Sequence, residues 1–206
     1  MEVINLEQVE RQLGLMKAKA PKVLKLAVND TARKARSRLA KEAKKTYVVK
    51  VSGFNRVMDI KFATTSKPMA IIYTKGKKIP LSKFSFREGE LGPERYYNPT
   101  LHRYQIGKGG ISASGKVLKG TRYKPAQDSE RKWFVAKMRS GHVGVFQRNK
   151  GKKRGEKDEV SEKMGASIPE MIGNEKRVYG IVKPFIKSDL KDAVSRHILR
   201  ALKGEI

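Results

Sequence analysis

Three histidines, one group of carboxylates and one glycine-rich run are the places where this sequence could support chemistry. A metal centre needs His or carboxylate ligands at spacings that bring them onto one face, as in a helical HExxH pair. His102, His142 and His197 stand in three separate contexts, with no HExxH and no HxH among them. They read as unrelated surface or packing side chains. Asp158, Glu159 and Glu162 lie close together, but Lys157 and Lys163 interrupt them, which describes a mixed-charge surface in preference to a cation site. Gly107, Gly109 and Gly110, followed by Ser112, Ser114 and Gly115, lack the GxxxxGK[ST] order of a phosphate cradle, and no helical pattern opens after them. A loop is the simpler reading. The absence of cysteine removes thiolate nucleophiles, disulfides and Cys-based zinc sites together. Enzymes need convergent activated groups, so no catalytic residue, cofactor or metal is expected.

Charge is the stronger signal. Lys and Arg number 47 against 20 Asp and Glu, a formal +27, and self-repulsion of that size calls for a neutralising partner such as nucleic acid or an acidic protein surface. Hydrophobic residues at 38% and aromatics at 7% make a lean core, which shifts stability towards partners within a single expected domain over residues 1–206. No stretch approaches the roughly 20 apolar residues of a membrane helix. Glu2, Glu7 and Glu10 break the basic-then-apolar order of a signal peptide, so a soluble compartment and no membrane contact are expected.

The elements that must position these groups follow from periodicity. Leu6, Val9, Leu13 and Met16 predict a helix through Lys19, and Pro21 marks where a second one begins, giving N-terminal helices over about 5–46. Leu24, Val28, Ala32, Ala35, Leu39 and Ala43 form one apolar stripe of that second helix. The opposite face carries Arg33, Lys34, Arg36, Arg38, Lys41, Lys44 and Lys45, with Glu42 as its one acid. Runs at 57–62, 69–74 and 79–86 are rich in branched and aromatic residues and predict strands, the second and third joined as a hairpin by Lys75-Gly76-Lys77. Periodicity then fails over 87–127, which predicts a loop or arm insertion with one strand near 116–123. Trp133 to Met138 and Val143 to Gln147 predict a second hairpin, in which Trp133, Phe134, Val143, Val145 and Phe146 pack together. Arg148 to Lys163 reads as a solvated loop. Leu190, Val194, Ile198, Ala201 and Leu202 predict a C-terminal helix capped by Ser188 or Asp189 and ended near Gly204. The expected fold is α+β: a mostly antiparallel sheet packed by the long basic helix and the C-terminal helix, with the loop insertion extending from it.

Two uses fit the basic face. Phosphate contacts need Lys and Arg and gain from counterion release, but no base-reading motif accompanies this charge. The other use is a solvated face that meets an acidic neighbour in an assembly. A nuclease, which needs clustered carboxylates to hold metal, is disfavoured by their sparse pattern, and a ribosomal or nucleoid type of nucleic-acid-binding protein remains the alternative.

Three passages together resemble the prophage minor tail protein Z family, the tail-completion proteins of long-tailed phages. They are the alanine- and arginine-rich run from Ala27 to Glu42, the passage from Phe134 to Met138 continuing into Gly141 to Arg148, and Ser167-Ile-Pro-Glu-Met171. The resemblance implies a virion protein of a tail or tail-like particle, made in the host cytoplasm. Its place would be the head-proximal end of the tail, the neck region, which it completes for head-tail joining. It further implies a homo-oligomeric, sixfold ring, with tail-tube and head–tail connector proteins as partners and DNA contact as an open possibility.

Overall fold

A computed structural model of the chain describes residues 6–50, 53–88, 96–98, 100, 103–105, 113–122, 124–125, 127–128, 131–137, 140–149 and 159–206. It is an α+β molecule whose chain divides into two compact units. The first comprises Met1–Thr46, Ser52–Gly76 and Ile168–Ile206, and the second Tyr47–Val51 and Lys77–Ser167.

In the first unit, α1 spans Leu6–Leu13 and buries Val9 and Leu13. The apolar spacing predicted continuation to Lys19, but Gly14 takes φ +54°, and Gly14–Lys19 is a 3-10 turn kinked at Met16. A left-handed φ is available to glycine at no Cβ cost, so the helix breaks there. α2 spans Ala20–Thr46 and buries Leu24, Ala32, Ala35, Leu39 and Ala43 of the predicted stripe. Pro21, the second residue of α2, lies where a missing N–H costs nothing, and Lys44 and Lys45 sit in its last turn, where cations complement the helix dipole. A 3-10 turn at Phe54–Val57 leads into β1, Met58–Lys61, which pairs antiparallel with β2, Ile71–Thr74. After the short α3, Ile168–Ile172, comes α4, Tyr179–Leu202.

The start of α4 corrects the sequence reading, which placed the cap at Ser188 or Asp189. The helix runs through Pro184 and begins earlier, so Ser188 and Asp189 are interior and Asp189 is buried. Proline removes one i→i−4 hydrogen bond and usually ends a helical pattern. Here burial of Val182 before it and Ala193 and Val194 after it outweighs that loss. The far end agrees with expectation: Gly204 N donates to Ala201 O at 3.1 Å and Glu205 N to Arg200 O at 3.0 Å, the reverse-turn bonds that close a helix at its C-terminus.

α2 and α4 pack antiparallel through a seam of small and branched residues. Val23, Leu24 and Ala27 meet Ala193, Val194, Ile198 and Ala201, and α1 adds Val9 and Leu13. Two carboxylates fix the register. Arg38 Nη2 donates to Asp189 Oδ1 at 3.0 Å, its Nε lies 2.9 Å from Oδ2 as an ion-pair contact, and Lys34 Nζ approaches Oδ1 at 3.7 Å. Eight residues back along α2 and eight forward along α4, Asp30 Oδ2 meets His197 Nε2 at 2.9 Å and Arg196 Nη2 at 3.5 Å. Asn29 closes the other flank, accepting from Ala63 N at 2.7 Å and donating to Ala63 O at 3.2 Å.

The second unit consists of short antiparallel strands. These are β3 (Lys78–Pro80), β4 (Ser85–Glu88), β5 (Tyr96–Asn98), β6 (Arg103–Gln105), β7 (Ala113–Lys116), β8 (Lys124–Pro125), β9 (Gln127–Asp128), β10 (Arg131–Lys132), β11 (Phe134–Lys137), β12 (Val143–Asn149), β13 (Glu159–Glu162) and β14 (Met164–Ser167). Their orders are β4-β7-β8, β5-β6, β10-β9, β11-β12-β13 and β14-β3. The pairing is antiparallel throughout, as expected, and strands of two to seven residues distribute it over several small sheets.

Three further readings are corrected. β2 and β3 are not a hairpin across Lys75-Gly76-Lys77, since β2 pairs with β1 and β3 with β14. Strand propensity reports a fit to a pleated surface and carries no information about the partner. The segment 148–163 is not a loop throughout: β13 adds to β12 with Phe146 opposite Glu162 and Arg148 opposite Val160. β13 is an edge strand, and charged residues are what such edges carry to deter further pairing, so its composition concealed it. Within 87–127 the described residues hold β5 to β8 and the start of β9, all too short for periodicity to register.

The β11–β12 hairpin stands as predicted, with Phe134 opposite Phe146 and Lys137 opposite Val143. The two rings lie 6.2 Å apart, and the edge of His142 meets Phe146 at the same centroid distance. Gly144 makes this possible, because a Cβ there would come within 2.9 Å of the Phe146 ring and 2.7 Å of Glu162 Oε1. Val145, at 0% exposure, and Phe146, at 4%, are buried on opposite faces of β12. Val143 departs from the expected packing: at the strand end it is 50% exposed.

Phe146→Ala is expected to cost about 3–5 kcal/mol, and Val143→Ala less than about 1 kcal/mol, in chemical denaturation. Arg38→Ala leaves the buried Asp189 with only the longer contact to Lys34, and is expected to lower stability by about 1–3 kcal/mol. Lys41→Ala, on the same helix, should stay within about 0.5 kcal/mol of the parent. Equal effects from the two α2 substitutions would show that the Asp189 clamp contributes nothing.

Candidate interaction surface

The basic face of α2 is divided by what its cations touch. Arg33 donates to Asp30 at 3.1 Å and lies 4.9 Å over the Phe62 ring. Lys34 and Arg38 are committed to Asp189, and Arg38 also lies 5.3 Å over Phe185. Arg36 is half-buried, with its Nε enclosed and unpartnered. Four of the seven predicted interaction residues therefore belong to the internal structure of the first unit. Sequence reading missed this because the carboxylates concerned come from one turn earlier and from the distant α4, and only the pairing of the helices brings Asp189 into reach.

The cations beyond Arg38 have a different environment. Lys41 and Lys44 are exposed and form no ion pair among the described residues. Lys45 reaches Glu42 at 3.8 Å with its side chain 78% exposed, an arrangement worth little in water. At the end of α2, Thr46 Oγ1 donates to Arg177 O at 3.5 Å. This sets exposed Lys176 and Arg177 beside the last turn of α2. Their turn is held by Asn174 O, which accepts from Arg177, Val178 and Tyr179 N, and by the fully buried Val178. Lys176 and Arg177 were not among the predicted residues, since nothing in their local sequence points to α2.

The hairpin residues belong to the second unit. Phe134, Val145 and Phe146 pack as described, while Trp133 lies just before β11, half-buried, with Lys163 Nζ 5.4 Å from its ring centre. With Phe146 buried and Phe134 half-buried against it, the pair is packed into the hairpin in preference to forming an open platform for stacking bases.

The groups considered for chemistry are dispersed. His142 Nε2 lies 2.8 Å from Glu162 Oε1 at the exposed end of the hairpin, and His197 is buried against Asp30 in the first unit. His102, the Gly107–Gly110 run, Ser112 and Asp158 lie outside the described residues. Among the described residues, no three His, Cys, Asp or Glu side chains converge on a metal position, and no helix is long and apolar enough to cross a membrane.

Comparison with known proteins gives one finding that covers nearly the whole chain. The family model for prophage minor tail protein Z matches residues 3–204. No curated protein and no solved structure matches. The matched span takes in α1, α2, the β11–β12 hairpin and α4, and the family is one of structural phage tail proteins, which places the chain in the virion. By that match the chain belongs to the prophage minor tail protein Z family.

Proposed function

We propose that this protein completes the head-proximal end of the phage tail, in the neck region, by assembling as a sixfold ring of its own copies against tail-tube and head–tail connector proteins. It acts by assembly and not by catalysis, and is made in the host cytoplasm before joining the particle. The observation that carries the reading is the family match over residues 3–204, since tail completion is the role that the resemblance of the α2 run and the β11–β12 hairpin implies.

Apolar exposure supports assembly. Phe62, Met69, Ile71 and Tyr73, all within the β1–β2 segment, are exposed large side chains. Ile71 and Tyr73 share one face of β2, and Asp59 and Lys61, opposite them in the pair, offer no cover. Apolar surface grouped in this way characterises protein contact sites.

Particles from a phage lacking this gene are expected to separate into filled heads and unjoined tails. Antibody labelling of intact particles should mark one position at the head-proximal end; labelling along the tail or at its tip would exclude the reading. In sedimentation the purified protein should form oligomers, and Ile71→Glu with Tyr73→Glu should raise the dissociation constant by at least about tenfold, the effect of losing about 1.4 kcal/mol of contact. A stable monomer at high concentration would count against ring assembly.

A further inference from the structure

The cations at the C-terminal end of α2 form a composite patch that no single stretch of sequence contains. Lys41, Lys44 and Lys45 project from the last two turns of α2, and the Thr46–Arg177 hydrogen bond adds Lys176 and Arg177 from the turn before α4. Five cations face solvent there, with Glu42 and Glu175 as the interspersed acids. Both halves are rigidly supported: Ala43 is buried beneath the lysines, and Val178 beneath the turn.

The chemistry of the patch separates two kinds of polyanion. Protein interfaces have an apolar centre, favour Arg and aromatics, and are depleted in Lys. Between Lys41 and Thr46 no apolar side chain is exposed, and four of the five cations are lysines. The arginines of α2 that stack on aromatics, Arg33 and Arg38, are the ones spent on Asp30 and Asp189. What remains is a set of exposed cations, three of them along about 6 Å of helix and two from the adjoining turn, which suits a phosphate backbone: counterion release supplies affinity, and no shape or base contact is required.

We propose that Lys41, Lys44, Lys45, Lys176 and Arg177 form a sequence-independent binding site for the phosphate backbone of duplex DNA. The site goes beyond the tail-completion role and does not depend on the ring.

The test is anisotropy of a short labelled duplex of random sequence, titrated with the full chain across a salt series. Binding should be on the order of 10⁻⁴ to 10⁻⁶ M near physiological salt, as for non-specific contacts. Lys41→Gln with Lys44→Gln should lower the slope of log K against log salt by about 1.8, two contacts at about 0.9 each, and Lys176→Gln with Arg177→Gln by a similar amount. Lys17→Gln with Lys22→Gln removes the same charge from the first turn of α2 and the 3-10 turn before it, and should leave the slope within about 0.3 of the parent, well under one contact. Circular dichroism should be unchanged in all three, and Lys41→Arg with Lys44→Arg should bind like the parent. Equal slope losses from all three Gln pairs would reduce the effect to net charge and overturn the site. So would the absence of binding at low salt. Retained DNA affinity with lost incorporation into tails would assign the patch to a protein neighbour, which also overturns the proposal while leaving the tail-completion reading intact.

Discussion

The antiparallel contact of α2 with α4 is the constraint on which the first unit depends. Its seam is built from Ala27, Ala193 and Ala201 with Val23, Val194 and Ile198, side chains small enough for close approach of the helices. Alanine seams bury little area per residue and specify register weakly, because sliding one helix by a turn exchanges one small residue for another. Asp189 and Asp30 supply the missing specificity. Each meets cations or an imidazole of the other helix at the observed register, and a slide would cost the buried Asp189 its close contact with Arg38.

This arrangement changes the meaning of the basic composition. A formal +27 suggests a uniformly repulsive surface, yet part of the charge on α2 is consumed in holding α4. Arg38 uses both of its properties there, the planar guanidinium against Asp189 and its face against Phe185, and Arg33 does the same with Asp30 of its own helix and Phe62. Of the lysines past Arg38, only Lys45 meets a carboxylate, the exposed contact to Glu42 at 3.8 Å, and none lies over an aromatic ring among the described residues. One helix thus carries a structural half and a solvated half, divided at about one turn.

How much of this was legible in sequence depended on the range of the interaction. The apolar stripe of α2 and the β11–β12 hairpin are local, and both are legible in the sequence as elements, although the register that sets Phe134 opposite Phe146 is not. The end of α4 was equally local. Its start was not: Pro184 is a breaker by every local rule, and only the buried contacts of α4 on both sides of it keep the helix continuous. β13 was hidden by its charges, and the partners of β2 and β3 by the silence of strand propensity on pairing. For the candidate surface, residue types were legible and occupancy was not, since Asp189 and Arg177 reach α2 from more than 100 residues away.

That separation bears on how the molecule is made. Arg38 and Asp189 are 151 residues apart, and the chain enters the second unit and returns before α4 is synthesised. At about 5–20 residues per second, α2 waits roughly 8–30 s for α4 with its seam uncovered and Arg38 without its carboxylate. A long, alanine-rich, cationic helix in that state resembles a chaperone client or a polyanion ligand more than a finished element. Translation order therefore makes closure of the first unit a late event, and any nascent chain stopped short of α4 is left without the carboxylate that neutralises Lys34 and Arg38.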